Sequence, residues 1–323
     1  MKYIKFFSET IPNINLLGGK GSNLVKLYKT KFNVPSGFIL TTKAFKTFMK
    51  KSAFQEDLKK YISKKIQPKE VLYISKNIQK MIVASEIPTD IEREIESTYI
   101  KLKNNSHNSV RFAVRSSATI EDSDIASFAG QADTFLSRKT LQQILISIKK
   151  CWASLYSPHA LLYLEQLNKM GKKVSLDQIF MAVIVQKMIH SDISGVIFTT
   201  NVLNNNHDQM LINSVLGLGE GLANNIVIPD TIIIDKESCG IIRQIIGKKE
   251  KTVIPDLDNA CTKAVPTDIT STNQLCISNN HIKKLHQIAL DIEKKYKCPQ
   301  DIEWAIKNDE LYVLQTRPIT TLK

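Results

Sequence analysis

The chain has 323 residues, of which 43% are hydrophobic and 23% are charged, and its net charge is +13. This composition excludes wholesale disorder, and the length suits one large two-lobed unit or two joined domains. The lysines are scattered through polar helical stretches rather than gathered with aromatic residues, so nucleic-acid binding is not expected, and a phosphate-rich small ligand explains part of the positive charge.

The N-terminal residues lead into a glycine-rich loop. The first nine residues have a basic start but lack the apolar region and the cleavage site of an export signal. Residues 18–22, Gly-Gly-Lys-Gly-Ser, are predicted to be a loop that opens a short amphipathic helix at 23–31. Backbone N–H groups at that helix start, together with Lys20, can cradle phosphate. The Walker A spacing is absent, and a plain helix-entry turn is the simpler interpretation of this loop alone.

The next part of the chain is predicted to be helical and then to form a strand. Residues 45–107 have helical apolar spacing, and 110–117 alternate as a strand that carries Arg115 near its end. Arg115 and the two serines after it can meet the same phosphates, or they mark an ordinary surface strand end. Residues 127–131 have the composition of a flexible loop, which either folds over nucleotide phosphates or is merely a connection.

The second half of the chain is richer in strands. Strands are predicted at 180–186, 195–200, 210–215 and 231–235, a mostly helical stretch at 141–166 and a helix at 281–295. The strand at 180–186 is apolar on both faces and should be buried at the centre of a lobe. The apolar run around it is too short, and too polar at Gln186 and Lys187, to cross a membrane, so no membrane partner is expected. Glu220 lies among glycines and leucines at 216–222, a pattern as typical of a tight turn as of a ligand contact.

Cysteines and histidines give no sign of a metal centre. The five cysteines are odd in number, far apart and without CxxC spacing, which argues against a disulfide framework or a zinc site and favours a cytoplasmic location. The six histidines form no metal-binding motif, and no serine lies in a nucleophile-elbow context.

The last two predicted strands, 300–306 and 311–317, form a hairpin with a three-residue loop at 308–310. Because side chains alternate between the two faces of a strand, this register gives the hairpin one apolar face and one polar face. The apolar face, which should pack on a core, carries Ile302, Trp304, Ile306, Tyr312, Leu314 and Thr316.

The polar face of this hairpin brings together four side chains that suit a metal-bound polyphosphate. Glu303 lies opposite Gln315, and Asp301 lies opposite Arg317. Mg²⁺ prefers oxygen ligands, which Glu303 and the side-chain carbonyl of Gln315 can offer, and Arg317 can bind phosphate through two parallel hydrogen bonds. The alternative is a surface hairpin with an ordinary Asp–Arg pair, worth about 1 kcal/mol at most. The hairpin alone does not decide between these interpretations.

Ten stretches, taken in chain order, carry a resemblance to a known family. They are 18–24, 34–38, 114–118 with 121–122, 127–131 with 134–136, 151–155, 185–188, 194–199, 217–220, 299–305 and 314–320. In this combination the chain resembles the ATP-binding domain of the pyruvate phosphate dikinase, phosphoenolpyruvate synthase and rifampicin phosphotransferase family. The stretches cover nearly the whole chain in the family's order, which makes the resemblance highly specific.

The resemblance implies an α+β chain with the ATP-grasp fold, in which a nucleotide binds between an N-terminal lobe, 1–190, and a C-terminal lobe, 191–323. It implies that ATP is contacted by Lys20, Arg115, Gly130, Gln131, Thr134, Gln186, Met188, Glu220, Asp301 and Arg317, with adenine near the strand of Gln186. It implies a Mg²⁺ ion held by Glu303 and Gln315, and catalytic cations at Lys20, Arg115 and Arg317.

The resemblance also implies an activity. Members of this family transfer a phosphoryl group from ATP, with AMP and phosphate as products, to a histidine on a separate swivelling domain. This sequence ends three residues after Thr320 and contains no Thr-Ser-His-type motif, so the acceptor is expected on a partner chain, on a lost domain or in a small molecule. The main hypothesis is an ATP-dependent phosphotransferase component. A module that senses ATP without turnover and an ATP-grasp ligase are the alternatives.

Overall fold

The chain folds into two compact units, each with its own sheet. The computed structural model describes residues 1–30, 32–52, 56, 58, 68–104, 110–120, 134–169, 171 and 178–320. One unit comprises 1–26 and 36–188, and the other comprises 27–35 and 189–323. Helices accompany antiparallel strand ladders in this chain, which confirms the predicted α+β class. No helix within the described ranges is both long and apolar enough to cross a membrane.

The first unit is built from helices around a mainly buried sheet. Its elements are β1 (Ile4–Phe6), a 3₁₀ turn (Phe7–Glu9), most of α1 (Ile14–Tyr28), β2 (Gly37–Leu40), α2 (Thr42–Lys51), a second 3₁₀ turn (Pro68–Glu70), α3 (Val71–Ala84), α4 (Thr89–Asn104), β3 (Phe112–Ala118), β4 (Thr134–Arg138), α5 (Leu141–Ser154), α6 (Pro158–Lys169) and β5 (Met181–Lys187). The described strands follow the order β1-β2-β5-β3-β4. The strand predicted at 180–186 is thus confirmed as a central one.

One face of this sheet forms the core of the first unit. Alternate residues of β3 and β5, such as Val114 and Val183, belong to one apolar cluster with Phe48 and Trp152, whose rings lie 4.6 Å apart. The opposite face therefore carries the other set of alternate residues. The stretch 141–166, predicted to be mostly helical, contains two helices. The chain turns between them before Pro158, a residue that fits the first turn of a helix but not its interior.

The second unit contains a larger sheet and a small separate hairpin. Its elements are β6 (Ile193–Phe198), β7 (Gln209–Leu216), α7 (Glu220–Ala223), β8 (Asp230–Asp235), β9 (Ile241–Ile245), β10 (Lys251–Asp256), β11 (Cys261–Pro266), α8 (Ile269–Thr272), α9 (Asn279–Tyr296), β12 (Gln300–Lys307) and β13 (Glu310–Pro318). The described strands of the sheet follow the order β13-β12-β6-β7-β8-β9, and β10 pairs with β11. The C-terminal hairpin therefore lies at one side of the sheet, with β12 paired on both edges.

Helix α9 packs against the strands that carry the hairpin. A capping box between Ser278 and His281 begins the helix, and its buried residues, including Leu285 and Ala289, recur at helical spacing. The helix packs on β12 and β6. On β12, Ile302 and Trp304 are both buried and form the apolar face of the strand. The alternate residues of β12 project from the other face, which carries the polar side chains.

Candidate functional site

The C-terminal hairpin has the predicted register where its polar residues lie. Asp301 pairs with Arg317, and Glu303 pairs with Gln315. Because directly opposite residues on antiparallel strands share a face, the four side chains project to one side of the sheet. The candidate site in this unit, called here the hairpin face, consists of these four residues.

The predicted loop of this hairpin is wrong. The turn has two residues, Asn308 and Asp309, both with positive φ (50° and 64°), as a tight type I′ turn requires. A β-bulge after Glu303 leaves Leu314 as an extra residue on β13, since Trp304 pairs with Val313. The bulge compensates for the shorter turn, and this is why the register at the hairpin face agrees with the prediction.

The bulge also changes which residues of β13 face the core. Val313 takes the position opposite Trp304 and is buried, whereas Tyr312 and Leu314, both predicted on the apolar face, are partly exposed. The alternating pattern from which they were assigned does not continue through a bulge.

Among the described residues, the Asp301–Arg317 pair uses one oxygen of the Asp301 carboxylate. Nε and Nη2 of Arg317 each lie 2.8 Å from the same oxygen, Oδ2 of Asp301. The other oxygen, Oδ1, is buried and has no hydrogen-bond partner among the described residues. Burial raises the pKa of the Asp301 carboxyl above its ordinary value; Arg317 opposes this shift and the Glu303 charge adds to it. A buried carboxylate oxygen without a partner fits a cation or a donor supplied by a ligand.

A magnesium ion fits the chemistry of this face. Glu303 and Asp301 offer carboxylate oxygens, and Gln315 offers an amide oxygen, the hard ligands that Mg²⁺ takes. Within the described part of the chain, no group of three or more His, Cys, Asp or Glu side chains is placed to hold a metal. Two carboxylates and an amide leave coordination positions for phosphate oxygens and water, as is usual for Mg²⁺ bound with a nucleotide.

The hairpin face continues onto β7 with a residue that the sequence analysis did not single out. Glu303 pairs with Val196 of β6, and Val196 pairs with Asn213 of β7, so Asn213 lies on the same face. Its Oδ1 accepts a hydrogen bond of 3.1 Å from the hydroxyl of Thr231 on β8. In the sequence, Asn213 stands out only as a polar residue directly after the apolar run Met210–Ile212. This signal indicates a site residue only when the order of the strands in the sheet is known.

The turn of the hairpin is anchored at its tip. Asp192 accepts hydrogen bonds from Nζ of Lys307 (2.6 Å) and from the backbone N–H of Asn308 (2.9 Å). Asp309 lies 2.6 Å from Nε2 of His281, and the hydrogen bond from His281 lowers the pKa of the Asp309 carboxyl, with Lys284 adding to the effect. These contacts hold the hairpin at its turn, whereas the four residues of the hairpin face lie towards the other end of the two strands.

In the first unit, Ser117 ties the glycine-rich segment to β3. The helix predicted at 23–31 is part of α1, which begins at Ile14 and is interrupted only at Gly18, where φ is +72°. Oγ of Ser117 donates to the carbonyl of Leu17 and accepts from the N–H of Gly21, both at 2.9 Å. A Cβ on Gly18 would lie 2.2 Å from the Ser117 carbonyl oxygen, so only glycine fits there. Lys20 is thereby held on the segment that lies against Ser117.

The same face of the first sheet carries more of the predicted nucleotide contacts. Arg115 lies two residues before Ser117 on β3 and therefore on the same face, and it pairs with Thr134 of β4. Gln186, which is buried, pairs with Ala113, so it shares that face as well. Lys20, Arg115, Thr134 and Gln186 are thus brought to one side of the sheet.

The remaining predicted contacts divide three ways. Met188 follows β5 and donates its backbone N–H to the carbonyl of Arg111 at 2.8 Å. Glu220 begins α7, and one of its carboxylate oxygens lies 2.5 Å from the hydroxyl of Thr262 on β11. Gly130 and Gln131, like the rest of the loop predicted at 127–131, lie outside the described residues.

The α+β chain carries two carboxylates, an amide and a guanidinium on one sheet face, a set of groups that suits a metal-bound phosphate. A family model described as pyruvate phosphate dikinase, AMP/ATP-binding domain, matches residues 14–323. The chain therefore belongs to the pyruvate phosphate dikinase AMP/ATP-binding domain family, and the family expected from its motifs is confirmed.

Three relatives show how much of a longer protein this chain resembles. A probable phosphoenolpyruvate synthase of Methanocaldococcus jannaschii is 36% identical over 327 residues, covering the whole chain and 27% of that protein. A phosphoenolpyruvate synthase of Pyrococcus furiosus is 33% identical over 365 residues, covering the whole chain and 44% of that protein. A rifampicin phosphotransferase of Bacillus cereus is 35% identical over 310 residues, covering 95% of the chain and 34% of that protein. The chain spans less than half the length of each relative.

Proposed function

We propose that this chain is the nucleotide-binding part of an ATP-dependent phosphotransferase. The nucleotide binds between two lobes of an ATP-grasp fold, 1–190 and 191–323, and Lys20 and Arg115 act from the first and the hairpin face from the second. The observation that carries the proposal is the hairpin face, where the buried Oδ1 of Asp301 has no partner among the described residues and Glu303 and Gln315 lie alongside. The name of one relative, a rifampicin phosphotransferase, supports phosphoryl transfer, and the description of the family model, an AMP/ATP-binding domain, supports ATP as the donor.

Each residue of the hairpin face has a proposed task. Glu303 and Gln315 hold Mg²⁺, and Asp301 directs Oδ1 to the metal-nucleotide complex while Oδ2 orients Arg317. When bound, Mg²⁺ supplies charge neutralisation on the phosphates and fixes their geometry. Arg317, whose side chain is 44% exposed, reaches solvent and binds phosphate.

The cations of both lobes stabilise the charge that develops during transfer. Phosphoryl transfer passes through a transition state with negative charge on its equatorial oxygens, and catalysis relies on positioning and electrostatic stabilisation. Lys20, Arg115 and Arg317 supply positive charge, and Thr134, beside Arg115, supplies a hydroxyl donor. Gln186 and Met188 bind the adenine, Gly130 and Gln131 contact the phosphates, and Glu220 contacts the nucleotide.

The acceptor is a histidine on a swivelling domain, in a partner chain or in another part of the same protein, or a small molecule bound directly. We place the reaction in the cytoplasm. The released products are AMP and phosphate.

Product analysis tests this proposal. The chain is incubated with Mg-ATP, alone and with an added histidine-bearing domain of a phosphoenolpyruvate synthase, and nucleotides are separated by anion-exchange chromatography. With the added domain we expect AMP and phosphate in equal amounts, because the remaining phosphoryl group of ATP is transferred to the histidine. ADP as the sole product would indicate ligase or simple kinase chemistry instead, and tight ATP binding without any turnover under either condition would make the chain an ATP-sensing module.

A further inference from the structure

A closed ring of hydrogen bonds links three strand ends of the first unit, and it involves two residues with no assigned role. Nη1 of Arg111 donates to the carbonyl (3.1 Å) and to the hydroxyl (3.0 Å) of Ser137. The backbone N–H of Ser137 donates to Sδ of Met188 at 3.2 Å. The backbone N–H of Met188 returns to the carbonyl of Arg111 at 2.8 Å. The ring is formed by the beginning of β3, the end of β4 and the residue after β5.

Ser137 adopts a conformation that needs this support. It is a fully buried serine with φ of +64°, a left-handed conformation that residues other than glycine adopt rarely. It lies in a β-bulge, since three steps along β4 match two along β3 between the pairs Val114–Phe135 and Phe112–Arg138. Bulges of this kind redirect side chains next to binding sites.

Arg111 is an unusual residue to find inside this unit. It is 4% exposed, and burying a guanidinium is costly unless its donors are used. By strand alternation it lies on the same face as Arg115, four residues further along the chain. Its guanidinium binds both polar groups that Ser137 turns towards it, so it fixes the bulge.

The consequence falls on Met188. Its backbone N–H donates to the backbone carbonyl of Arg111, and its sulfur accepts the N–H of Ser137 in the bulge that the Arg111 guanidinium holds. The backbone and the side chain of Met188 are thereby both positioned. A methionine side chain suits the face of an aromatic ring because its thioether is polarizable and apolar. Gln186, two residues earlier on β5, faces the same side as Arg115.

We propose that Arg111 is a positioning residue for the nucleotide base: through the bulge at Ser137 it sets Met188 against the adenine. The inference rests on the function proposed above, in which adenine binds beside Gln186 and Met188. Arg111 does not touch the phosphates in this account, and the affinity for the triphosphate alone is therefore independent of it.

Separate titrations of Mg-ATP and Mg-tripolyphosphate into the full chain test this role. Arg111→Met should weaken Mg-ATP binding about tenfold, the loss of roughly one charge-assisted hydrogen-bond network, and leave Mg-tripolyphosphate within about twofold of the wild type. Arg93→Met, an exposed arginine on α4, is the matched control and should change neither affinity.

Several outcomes overturn the inference. Unchanged ATP affinity in Arg111→Met, or equal losses for ATP and tripolyphosphate, would show that Arg111 only supports the fold. If Arg111→Met does not fold, Met188→Leu takes its place, because leucine keeps the apolar bulk and removes the sulfur acceptor. A loss of affinity for Mg-ATP alone in this variant supports the inference. Unchanged affinity, or an equal loss for Mg-ATP and Mg-tripolyphosphate, contradicts it. A wild-type chain that binds tripolyphosphate as tightly as ATP would refute base recognition here, and one that binds neither would refute the proposed function itself.

Discussion

Two of the carboxylate–cation pairs in the second unit differ in how fully their carboxylate oxygens are bonded. Asp230 on β8 pairs with Lys249, and both side chains are fully buried. Its Oδ1 also accepts from Gly247 and its Oδ2 accepts from the N–H of Cys276, so both oxygens are used. Asp301 on β12 has one oxygen used twice by an exposed Arg317 and the other without a described partner.

This difference in bonding distinguishes an ion pair that stabilises the fold from one that is suited to bind a ligand. A buried pair with every polar atom satisfied leaves nothing for a ligand, and it joins the segments at 247–249 and 276 to the sheet. A pair that leaves one buried oxygen open, with a cation that reaches solvent, is suited to bind something that brings its own charge. The predictions below test this division, beginning with the largest expected effect.

Breaking the buried pair should cost the most stability. Lys249→Met leaves the Asp230 charge buried without its cation, and we expect the free energy of unfolding to fall by about 3–5 kcal/mol. Urea unfolding followed by circular dichroism measures the change. Lys263→Met, which removes an exposed lysine 3.9 Å from Asp256, should cost less than about 1 kcal/mol. Similar losses in the two variants would mean that the buried pair is not a structural element.

Removing Arg317 should affect activity far more than stability. In the proposed function Arg317 donates to the phosphates. We therefore expect AMP formation in Arg317→Met to fall by roughly 100- to 1000-fold, the usual effect of losing one transition-state donor. Because the side chain is partly exposed, unfolding by urea should change by no more than about 1 kcal/mol. Arg243→Met, an exposed arginine on β9, is the control and should retain full activity. Full activity in Arg317→Met would remove the hairpin face from the reaction.

Neutralising Asp301 should weaken the metal complex without unfolding the protein. Asp301→Asn keeps the shape and removes the charge, and we expect the Mg²⁺ concentration needed for half-maximal ATP binding to rise about tenfold. Because burial raises the pKa of Asp301, the folded state holds its proton more tightly than the unfolded state, and the ionised carboxylate opposes folding at neutral pH. Stability at pH 7 should therefore stay within about 1 kcal/mol of wild type. A large destabilisation would make Asp301 a structural residue like Asp230.

The same raised pKa predicts a modest pH dependence. Asp301 must be ionised to bind the metal complex, so Mg-ATP affinity should fall as pH is lowered through its pKa, at a higher pH than for an ordinary aspartate. Titration calorimetry between pH 7 and the acid limit of stability, repeated on Asp301→Asn, measures this. A pH dependence that persists unchanged in the variant would assign it to another group.

Much of the hairpin face could be predicted because its information is local. Alternation along two adjacent strands placed Asp301, Glu303, Gln315 and Arg317 on one side, whatever else the sheet contained. The loop length was wrong because Asn308 and Asp309 both tolerate positive φ and permit a tighter turn, and the bulge that restores the register has no glycine to mark it.

The features that depend on distant pairing could not be predicted. Asn213 joins the hairpin face only through the strand order, and nothing near Lys249 in the sequence indicates that it is buried against Asp230. The ring through Arg111 and Ser137 likewise requires three strand ends that lie far apart along the chain. Sequence periodicity gives the faces of single elements, but not which element lies beside which.

The most direct test of the central claim is the Mg²⁺ dependence of ATP binding in the wild type and in Glu303→Gln, which keeps the size of the side chain and removes its charge. We expect Mg²⁺ to tighten ATP binding at least about tenfold in the wild type and to have little effect in the variant, because the hairpin face holds the metal through Glu303. An undiminished Mg²⁺ effect in Glu303→Gln would contradict the assignment of the metal-nucleotide site to this hairpin.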